Sequence, residues 1–183
     1  MRIAVDIDST LHNYWDQLAA VAKRRFGVDL SYAAQTAWDI DRLKPEQLHA
    51  CVRETHTEPY ILAAEPYPGA VETIAGWHDQ GHFIQITSHR VAGAREATER
   101  WLQRIGLPYD ELYCSNDKVA RCLEIGIDVL IDDSPVNLLR AVDAGLTTAT
   151  IRHPWNRDVC EEEDVICADD WPQLADRLEP RLR

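Results

Sequence analysis

The sequence has no long apolar run, few basic residues and no internal repeat. Its 183 residues include 19 lysines and arginines against 31 acidic residues, a formal net charge of −12. Nucleic-acid polymers and anionic membranes both need a basic surface, so this charge argues against either as a partner. Since no apolar stretch approaches membrane-spanning length and a strand begins at the N-terminus, we expect no membrane anchor and no signal peptide.

Cysteine is also sparse and irregularly spaced. The five cysteines are an odd number without framework spacing, which predicts reduced thiols and a cytoplasmic location. Cys160 and Cys167 lack the spacing of a zinc site. A chain of this length fits one compact domain with a small insertion, and 45% hydrophobic and 27% charged residues are ordinary for a globular protein.

Two acidic residues follow the first predicted strand. Asp6 and Asp8 come directly after the apolar run Ile3-Ala4-Val5. Side chains two residues apart in an extended segment point the same way, and ligands bind at the C-terminal ends of parallel strands. Buried carboxylates are costly without a partner such as a cation. An isolated Asp-x-Asp can also simply cap a turn, so the other strand ends must distinguish these alternatives.

Strands alternate with helices along the rest of the chain. This order predicts an α/β fold with a Rossmann-like parallel sheet of about five strands and helices on both faces. The predicted strands are Arg2–Val5, Phe83–Thr87, Leu112–Cys114, Val129–Ile131 and Thr147–Ile151.

One long segment breaks this alternation. About 55 helical residues separate the first strand from the boundary at Glu65–Gly69, far more than a crossover between parallel strands needs. We therefore predict a small helical cap, residues 11–64, inserted into a core formed by residues 1–10 and 65–183. The alternative is that the segment adds two packing helices and nothing more.

Further polar residues occupy equivalent places in the predicted sheet. Thr87 and Ser88 end the second strand, Lys118 starts a helix, and Asp132 and Asp133 follow the fourth strand. Each alone has an ordinary structural explanation, such as a helix cap or a solvated lysine. Because parallel strands end at one edge, we expect the whole set to converge with Asp6 and Asp8.

The order of these residues resembles the signature of the haloacid dehalogenase superfamily of phosphohydrolases. That signature runs Asp-x-Asp-x-Thr, then a strand-end Ser or Thr, then Lys, then Asp-Asp. Within the superfamily the sequence is most similar to the 5'(3')-deoxyribonucleotidases. This similarity is carried by the segments Ala37-Trp38-Asp39, 65–72, Ile86-Thr87-Ser88, Asn116-Asp117-Lys118, 130–133 and 153–157.

The resemblance implies a role for each motif. Asp6 would attack phosphorus, and Asp8 would act as the acid and then the base, so it should hold a proton near neutral pH. Crowding with other carboxylates is expected to raise the pKa of Asp8 for this purpose. Lys118 and Thr87 would hold the phosphate. Mg²⁺ would be the cofactor, bound by Asp6, the Asp8 backbone carbonyl and Asp133, with Asp132 as the supporting carboxylate.

Substrate-contacting residues are expected around this centre. Tyr14 and Trp38 could stack on a base, although core packing is an equal alternative for either. Ser88, His89 and Asn116 are the other candidates. Arg90 could also reach the substrate, but for Arg90, as for His89, a solvated loop is the favoured alternative. The implied partner is a small phosphorylated substrate, with a nucleoside monophosphate as the leading candidate, and the implied assembly is a monomer or homodimer.

Other functions remain open at this point. A phosphatase of a sugar phosphate or biosynthetic intermediate would use the same residues. A mutase is disfavoured by the small cap, and a dehalogenase by the second aspartate, Asp8. A non-catalytic sensor of phosphorylated ligands is disfavoured because a pure binder needs no second carboxylate poised as an acid.

Overall fold

The protein folds around a central parallel sheet. The computed structural model describes residues 1–114, 117–161 and 164–182. Across those ranges the sheet has six strands, in the order β3-β2-β1-β4-β5-β6. They are β1 (Arg2–Asp6), β2 (Phe83–Ser88), β3 (Glu111–Cys114), β4 (Val129–Ile131), β5 (Thr147–Ile151) and β6 (Val165–Ala168).

The sixth strand corrects the predicted number of about five. β6 pairs in parallel with β5, with Val165 opposite Thr148 and Ala168 opposite Ile151. It is four residues long and lies at the edge of the sheet. Its residues, Val165-Ile166-Cys167-Ala168, are apolar throughout, and so short an apolar run does not distinguish a strand from a piece of buried helix.

Helices cover both faces of the sheet, as predicted. Ile3 and Val5 pack with Trp101 and the helices of one layer, whereas Ala4 packs with Val119 in the other. This alternation is the period-2 pattern of a strand buried on both sides. The helices are α1 (Tyr14–Phe26), α2 (Pro45–Thr55), α3 (Glu58–Ala63), α4 (Ala70–Asp79), α5 (Arg95–Arg104), α6 (Lys118–Glu124), α7 (Pro135–Asp143) and α8 (Trp171–Leu178).

The insertion after β1 is helical. It contains α1, α2 and α3, and the first two share an apolar cluster of their own that includes Leu18, Val21 and Cys51. Ile61 of α3 packs instead into the main core. The inserted segment therefore has a small core of its own, and its last helix also packs against the main core.

Gly69 marks the return of the chain from the cap to the core. Its φ of +82° lies in the left-handed region that glycine adopts without strain. A Cβ at this position would lie 3.0 Å from Cδ of Pro172, so the close approach of α8 also favours glycine.

Two of the five cysteines correct the expectation of reduced thiols. Cys160 and Cys167 form a disulfide, with 5.5 Å between their Cα atoms, while Cys51, Cys114 and Cys122 are free. The pairing depends on β6, which brings Cys167 back beside the 3₁₀ turn that holds Cys160.

In the described ranges, no helix combines the length and apolarity needed to cross a bilayer.

Candidate active site

The C-terminal ends of β1, β2 and β4 bring the predicted motifs together. β1 lies between β2 and β4, and Asp6 at its end is in register with Thr87. Asp132 and Asp133 directly follow β4, and Lys118 begins α6. The side chains of all five are buried, so the expected convergence at one edge is found.

The chain turns sharply after the first motif. The carbonyl oxygen of Ile7 accepts from the backbone N–H groups of Thr10 and Leu11, at 3.2 and 2.8 Å. Ser9 has a φ of 62°, which is uncommon for a residue other than glycine. Such strain persists where surrounding contacts hold it, and it is concentrated at functional sites.

His153 supplies one of those contacts. Its Nε2 lies 2.7 Å from the Ser9 carbonyl oxygen, and its Nδ1 lies 2.7 Å from the Tyr32 hydroxyl. Burial lowers the pKa of His153 to about 4, so the ring is neutral near pH 7. Because a carbonyl can only accept, Nε2 donates to Ser9 and Nδ1 accepts from Tyr32. The ring also stacks on Trp155, with 4.5 Å between centroids.

Lys118 joins two of the carboxylates. Its Nζ donates to Asp6 Oδ1 and, at 3.0 Å, to Asp132 Oδ2. Burial alone would lower the pKa of Lys118, but Asp132 and Asp6 raise it above its usual range. The ammonium is therefore charged at neutral pH and placed beside the predicted nucleophile.

Asp132 accepts hydrogen bonds from protein groups on both carboxylate oxygens. Oδ1 accepts from the Ser134 N–H at 2.8 Å, and Asn137 Nδ2 lies 3.3 and 3.1 Å from the two carboxylate oxygens. With Lys118 on Oδ2, both oxygens have donors. This arrangement suits the supporting role predicted for Asp132 and orients the lysine.

Three buried carboxylates form a possible cation site. Asp6, Asp132 and Asp133 each offer an oxygen, and these atoms all lie within 4.8 Å of one another. Burial raises the pKa of Asp6 to about 7; Lys118 opposes the rise, and Asp132 and Asp8 add to it. Burial, followed by Asp6 and Asp132, also raises the pKa of Asp133 well above its usual range. The excess negative charge and the oxygen donors fit a hard divalent cation such as Mg²⁺.

Asp8 has quite different surroundings. Arg90 donates to both carboxylate oxygens, from Nη2 to Oδ1 at 2.7 Å and from Nε to Oδ2 at 3.2 Å. Nε2 of His12 lies 3.1 Å from Oδ1, and Nε2 of His56 lies 3.5 Å from Oδ2. Burial opposes ionisation, but Arg90, His12 and His56 together hold the pKa of Asp8 well below its usual range.

This environment corrects two predictions. The pKa of Asp8 is not raised by crowding, because a guanidinium and two imidazoles, rather than carboxylates, are its nearest partners. Arg90 is not in a solvated loop: 2% of its surface is exposed, and Nη1 also donates to Thr98 Oγ1 at 3.2 Å.

The two hydroxyls at the end of β2 have different roles. Thr87 Oγ1 is buried and has no hydrogen-bond partner among the residues that the structure describes. Ser88 Oγ already accepts from the Arg90 backbone N–H at 3.2 Å. A buried hydroxyl without a partner is costly, so Thr87 is the better candidate for a donor to phosphate.

Two adjoining cavities lie over this edge. A cavity of about 110 Å³ is lined by Asp6, Asp8 and Lys118, together with Asp132 and Asp133. A second, of about 230 Å³, lies under the cap and is mainly apolar. The residues that line both cavities are Ser9, Tyr14, Trp38 and Asp133.

The predicted substrate-contacting residues separate into three groups. Tyr14, Trp38 and His89 line the smaller cavity, and Trp38 is 41% exposed. Neither Ser88 nor Thr87 is among its lining residues; Ser88 holds the Arg90 backbone, whereas Thr87 lies beside Asp6 in the sheet. The prediction for Asn116 falls outside the residues that the structure describes.

Several site residues were not predicted. His12, four residues after Asp8, and Arg90, two residues after Ser88, lie close enough to the motifs that spacing alone could have indicated them. His56 ends α2 in the cap, and nothing in its local sequence connects it with Asp8. Trp155, in the turn that follows β5, donates from Nε1 to Asp133 Oδ2 at 3.2 Å and so helps to orient the last motif.

Comparison with known proteins gives a consistent result. Residues 1–179 match the family model "5' nucleotidase, deoxy (Pyrimidine), cytosolic type C protein". A Chlorobaculum tepidum protein with the provisional name 5'(3')-deoxyribonucleotidase is 25% identical, covering 96% of this chain and 89% of its own. A Bacillus cereus protein with the provisional name nucleotidase is 28% identical over the full length of both.

Solved structures share the fold. A hydrolase of the haloacid dehalogenase family from Deinococcus radiodurans, with bound phosphate and sodium, has a TM-score of 0.68 at 18% identity, covering 99% of this chain and 96% of its own. A family IA hydrolase from Entamoeba histolytica has a TM-score of 0.66 at 12% identity, covering 97% and 99%. At these identities the similarity establishes the architecture alone.

Proposed function

Because the chain belongs to the cytosolic type C family of 5' nucleotidases and is a phosphatase of the haloacid dehalogenase superfamily, we propose that it hydrolyses 5'-(deoxy)ribonucleoside monophosphates. The observation that carries this proposal is the buried group of Asp6, Lys118, Asp132 and Asp133, which opens into a cavity beneath an aromatic cap. An anionic phosphate would lie in the polar cavity, and the nucleoside would extend into the apolar one.

In the first step Asp6 acts as the nucleophile. A carboxylate oxygen of Asp6 bonds to phosphorus as the ester P–O bond breaks, leaving an aspartyl-phosphate. Lys118, already bonded to Asp6, offsets the charge on the phosphoryl oxygens, and the unpartnered hydroxyl of Thr87 donates to one of them. Positioning and charge neutralisation of this kind account for most of the catalysis of phosphoryl transfer.

We assign the cation site to Mg²⁺. Asp6, the Asp8 backbone carbonyl and Asp133 would hold the ion, with Asp132 supporting them through Lys118. The fit rests on the oxygen donors of these carboxylates and on the raised pKa of Asp6 and Asp133, which burial and then the neighbouring carboxylates cause. When bound, Mg²⁺ would keep these groups ionised and neutralise charge on the phosphate.

Asp8 would transfer the protons. It donates one to the departing alkoxide, and later accepts one from the water that attacks phosphorus and releases phosphate from Asp6. Arg90, His12 and His56 favour the carboxylate form of Asp8, which is the form required of a base. Its protonation for the first step would therefore accompany substrate binding, because the phosphate dianion adds negative charge to the same cavity.

Residues 11–64 would form a cap above a catalytic core of residues 1–10 and 65–183. The cap would determine which leaving groups are accepted. Trp15 and Trp155 stack with 5.4 Å between their ring centroids at the wall of the larger cavity, and Trp38 borders both cavities. The cap also places His56 beside Asp8, so it would contribute to the acid–base group as well as to selectivity.

A phosphate-release screen tests the proposed substrate class. Purified protein with Mg²⁺ would be given the four deoxyribonucleoside and four ribonucleoside monophosphates beside a panel of sugar phosphates. We expect the highest kcat/KM among the nucleotides. A higher kcat/KM for a sugar phosphate would indicate a phosphatase of another metabolite. If no substrate released phosphate, the remaining alternative would be a non-catalytic sensor of phosphorylated ligands.

The acid role of Asp8 predicts a dependence on the leaving group. Asp8→Asn should slow hydrolysis of a nucleoside monophosphate by about 10²-fold or more, but should slow aryl phosphate cleavage less, because a phenolate departs with little help from an acid. The release rates of phenolate and nucleoside would be measured in single turnovers, with thermal unfolding as the control for the buried pair with Arg90. Equal losses on both substrates would exclude Asp8 as the acid.

The cap role predicts an effect on KM. Trp38→Ala should weaken nucleotide binding by the roughly 1–3 kcal/mol that a stacked base contributes, which would be measured as a rise in KM. The KM for a small aryl phosphate should be unchanged. Leu139→Ala is a suitable control, because Leu139 is also exposed (46%) and lies on α7 outside both cavities. Parallel effects of Trp38→Ala on the two substrates would argue against base stacking.

A further inference from the structure

Arg90 contacts the proposed acid–base residue from behind. Asp8 lines the smaller cavity, and 17% of its side chain is exposed there. Arg90 is not among the lining residues, and only 2% of its side chain is exposed. A phosphate or nucleoside in the cavity would therefore meet Asp8, and Arg90 would act through it.

The contact between Arg90 and Asp8 fixes an orientation. Two guanidinium nitrogens reach two different oxygens of the carboxylate, at 2.7 and 3.2 Å. This bidentate geometry sets the plane of the carboxylate as well as its position. His12 and His56 reach one oxygen each, at 3.1 and 3.5 Å, so neither imidazole alone fixes the plane of the carboxylate.

Arg90 is itself held in place. Nη1 donates to Thr98 Oγ1 at 3.2 Å, and that hydroxyl donates to the Ala94 carbonyl at 2.8 Å. The guanidinium carbon also lies 5.8 Å from the centroid of the Trp101 ring. Thr98 in the first turn of α5 and the loop after β2 therefore hold the guanidinium that contacts Asp8.

We infer that Arg90 is a positioning residue that aims the Asp8 carboxylate at the leaving-group oxygen and the attacking water. This inference rests on the proposed acid–base role of Asp8. A displacement of a reacting group by about 1 Å can lower the rate about 10²-fold, and we expect a loss of this size when Arg90 is replaced.

The test is a double-mutant cycle between positions 90 and 8. Arg90→Gln should lower kcat for a nucleoside monophosphate by about 10²-fold and leave KM within about twofold, because Arg90 does not line the substrate cavity. In the Asp8→Asn background the same change should lower kcat by less than about twofold. The burst of phenolate from an aryl phosphate, which needs Asp6 but little help from an acid, should also be nearly unchanged.

Matched variants separate positioning from damage to the fold. Arg95→Gln removes a nearby arginine whose partners are Glu99 and the Leu112 carbonyl, and it should leave kcat unchanged. Arg90→Lys keeps the charge but cannot reach both oxygens, so it should lose kcat as Arg90→Gln does. It replaces Arg90→Gln in the cycle if thermal unfolding shows that the glutamine variant does not fold.

Each outcome has a defined meaning. Losses that multiply in the double variant, a fall in the phenolate burst equal to the fall in kcat, or full activity of both Arg90→Gln and Arg90→Lys would overturn the positioning role. Near-wild-type nucleotide turnover by Asp8→Asn alone would instead refute the acid–base role in the proposed function.

Discussion

Asp6→Asn should abolish turnover while leaving the protein folded. The amide keeps the shape of the side chain but cannot form the aspartyl-phosphate, and we expect kcat to fall by about 10³-fold or more. Lys118 retains Asp132 as its partner at 3.0 Å, so the buried ammonium does not lose every counter-charge. The measurement is phosphate release under saturating substrate, with the variant's thermal unfolding compared with that of the wild type.

A matched control for this variant is Asp143→Asn. Asp143 is an exposed carboxylate at the end of α7, and its loss should leave kcat unchanged. Phosphate release by highly purified Asp6→Asn at a rate near that of the wild type would mean that another group, or a water molecule, attacks phosphorus.

Removal of divalent metal should have an effect of similar size. Protein dialysed against chelator should lose nearly all activity, because Asp6 and Asp133 would then take up protons or repel the phosphate dianion. Mg²⁺ should restore the activity. Ca²⁺ should bind without restoring it, since it accepts more oxygen ligands in a looser geometry.

Asp133→Asn distinguishes this site from an unrelated metal effect. It should raise the Mg²⁺ concentration needed for half-maximal activity, whereas Asp143→Asn should not. Full activity in excess chelator would contradict the assigned metal site.

The fold could be predicted largely because its signals are local. β1 follows from an apolar run, α7 from the Ser134 cap and Pro135, and the helical insertion from the length of helical sequence before Gly69. β6 could not be predicted, because its four residues gain their place by pairing with β5 at the edge of the sheet. The disulfide was missed for the same reason, since it depends on where β6 puts Cys167.

The candidate site also contains some features that the sequence could predict and others that it could not. Strand ends converge in any parallel sheet, so the group of Asp6, Thr87, Lys118 and Asp133 could be anticipated from position alone. The pKa of Asp8 could not be. It depends on the direction of the Arg90 side chain and on His56, which reaches Asp8 from 48 residues along the chain.

Direct detection of the phosphoenzyme tests the account most sharply. Asp8→Asn mixed with an aryl phosphate and Mg²⁺, quenched in acid and digested, should yield an N-terminal peptide carrying one phosphoryl group on Asp6. The same peptide from Asp6→Asn should carry none. Steady turnover with no phosphoryl group on this peptide, or with the group on a different residue, would contradict nucleophilic attack by Asp6.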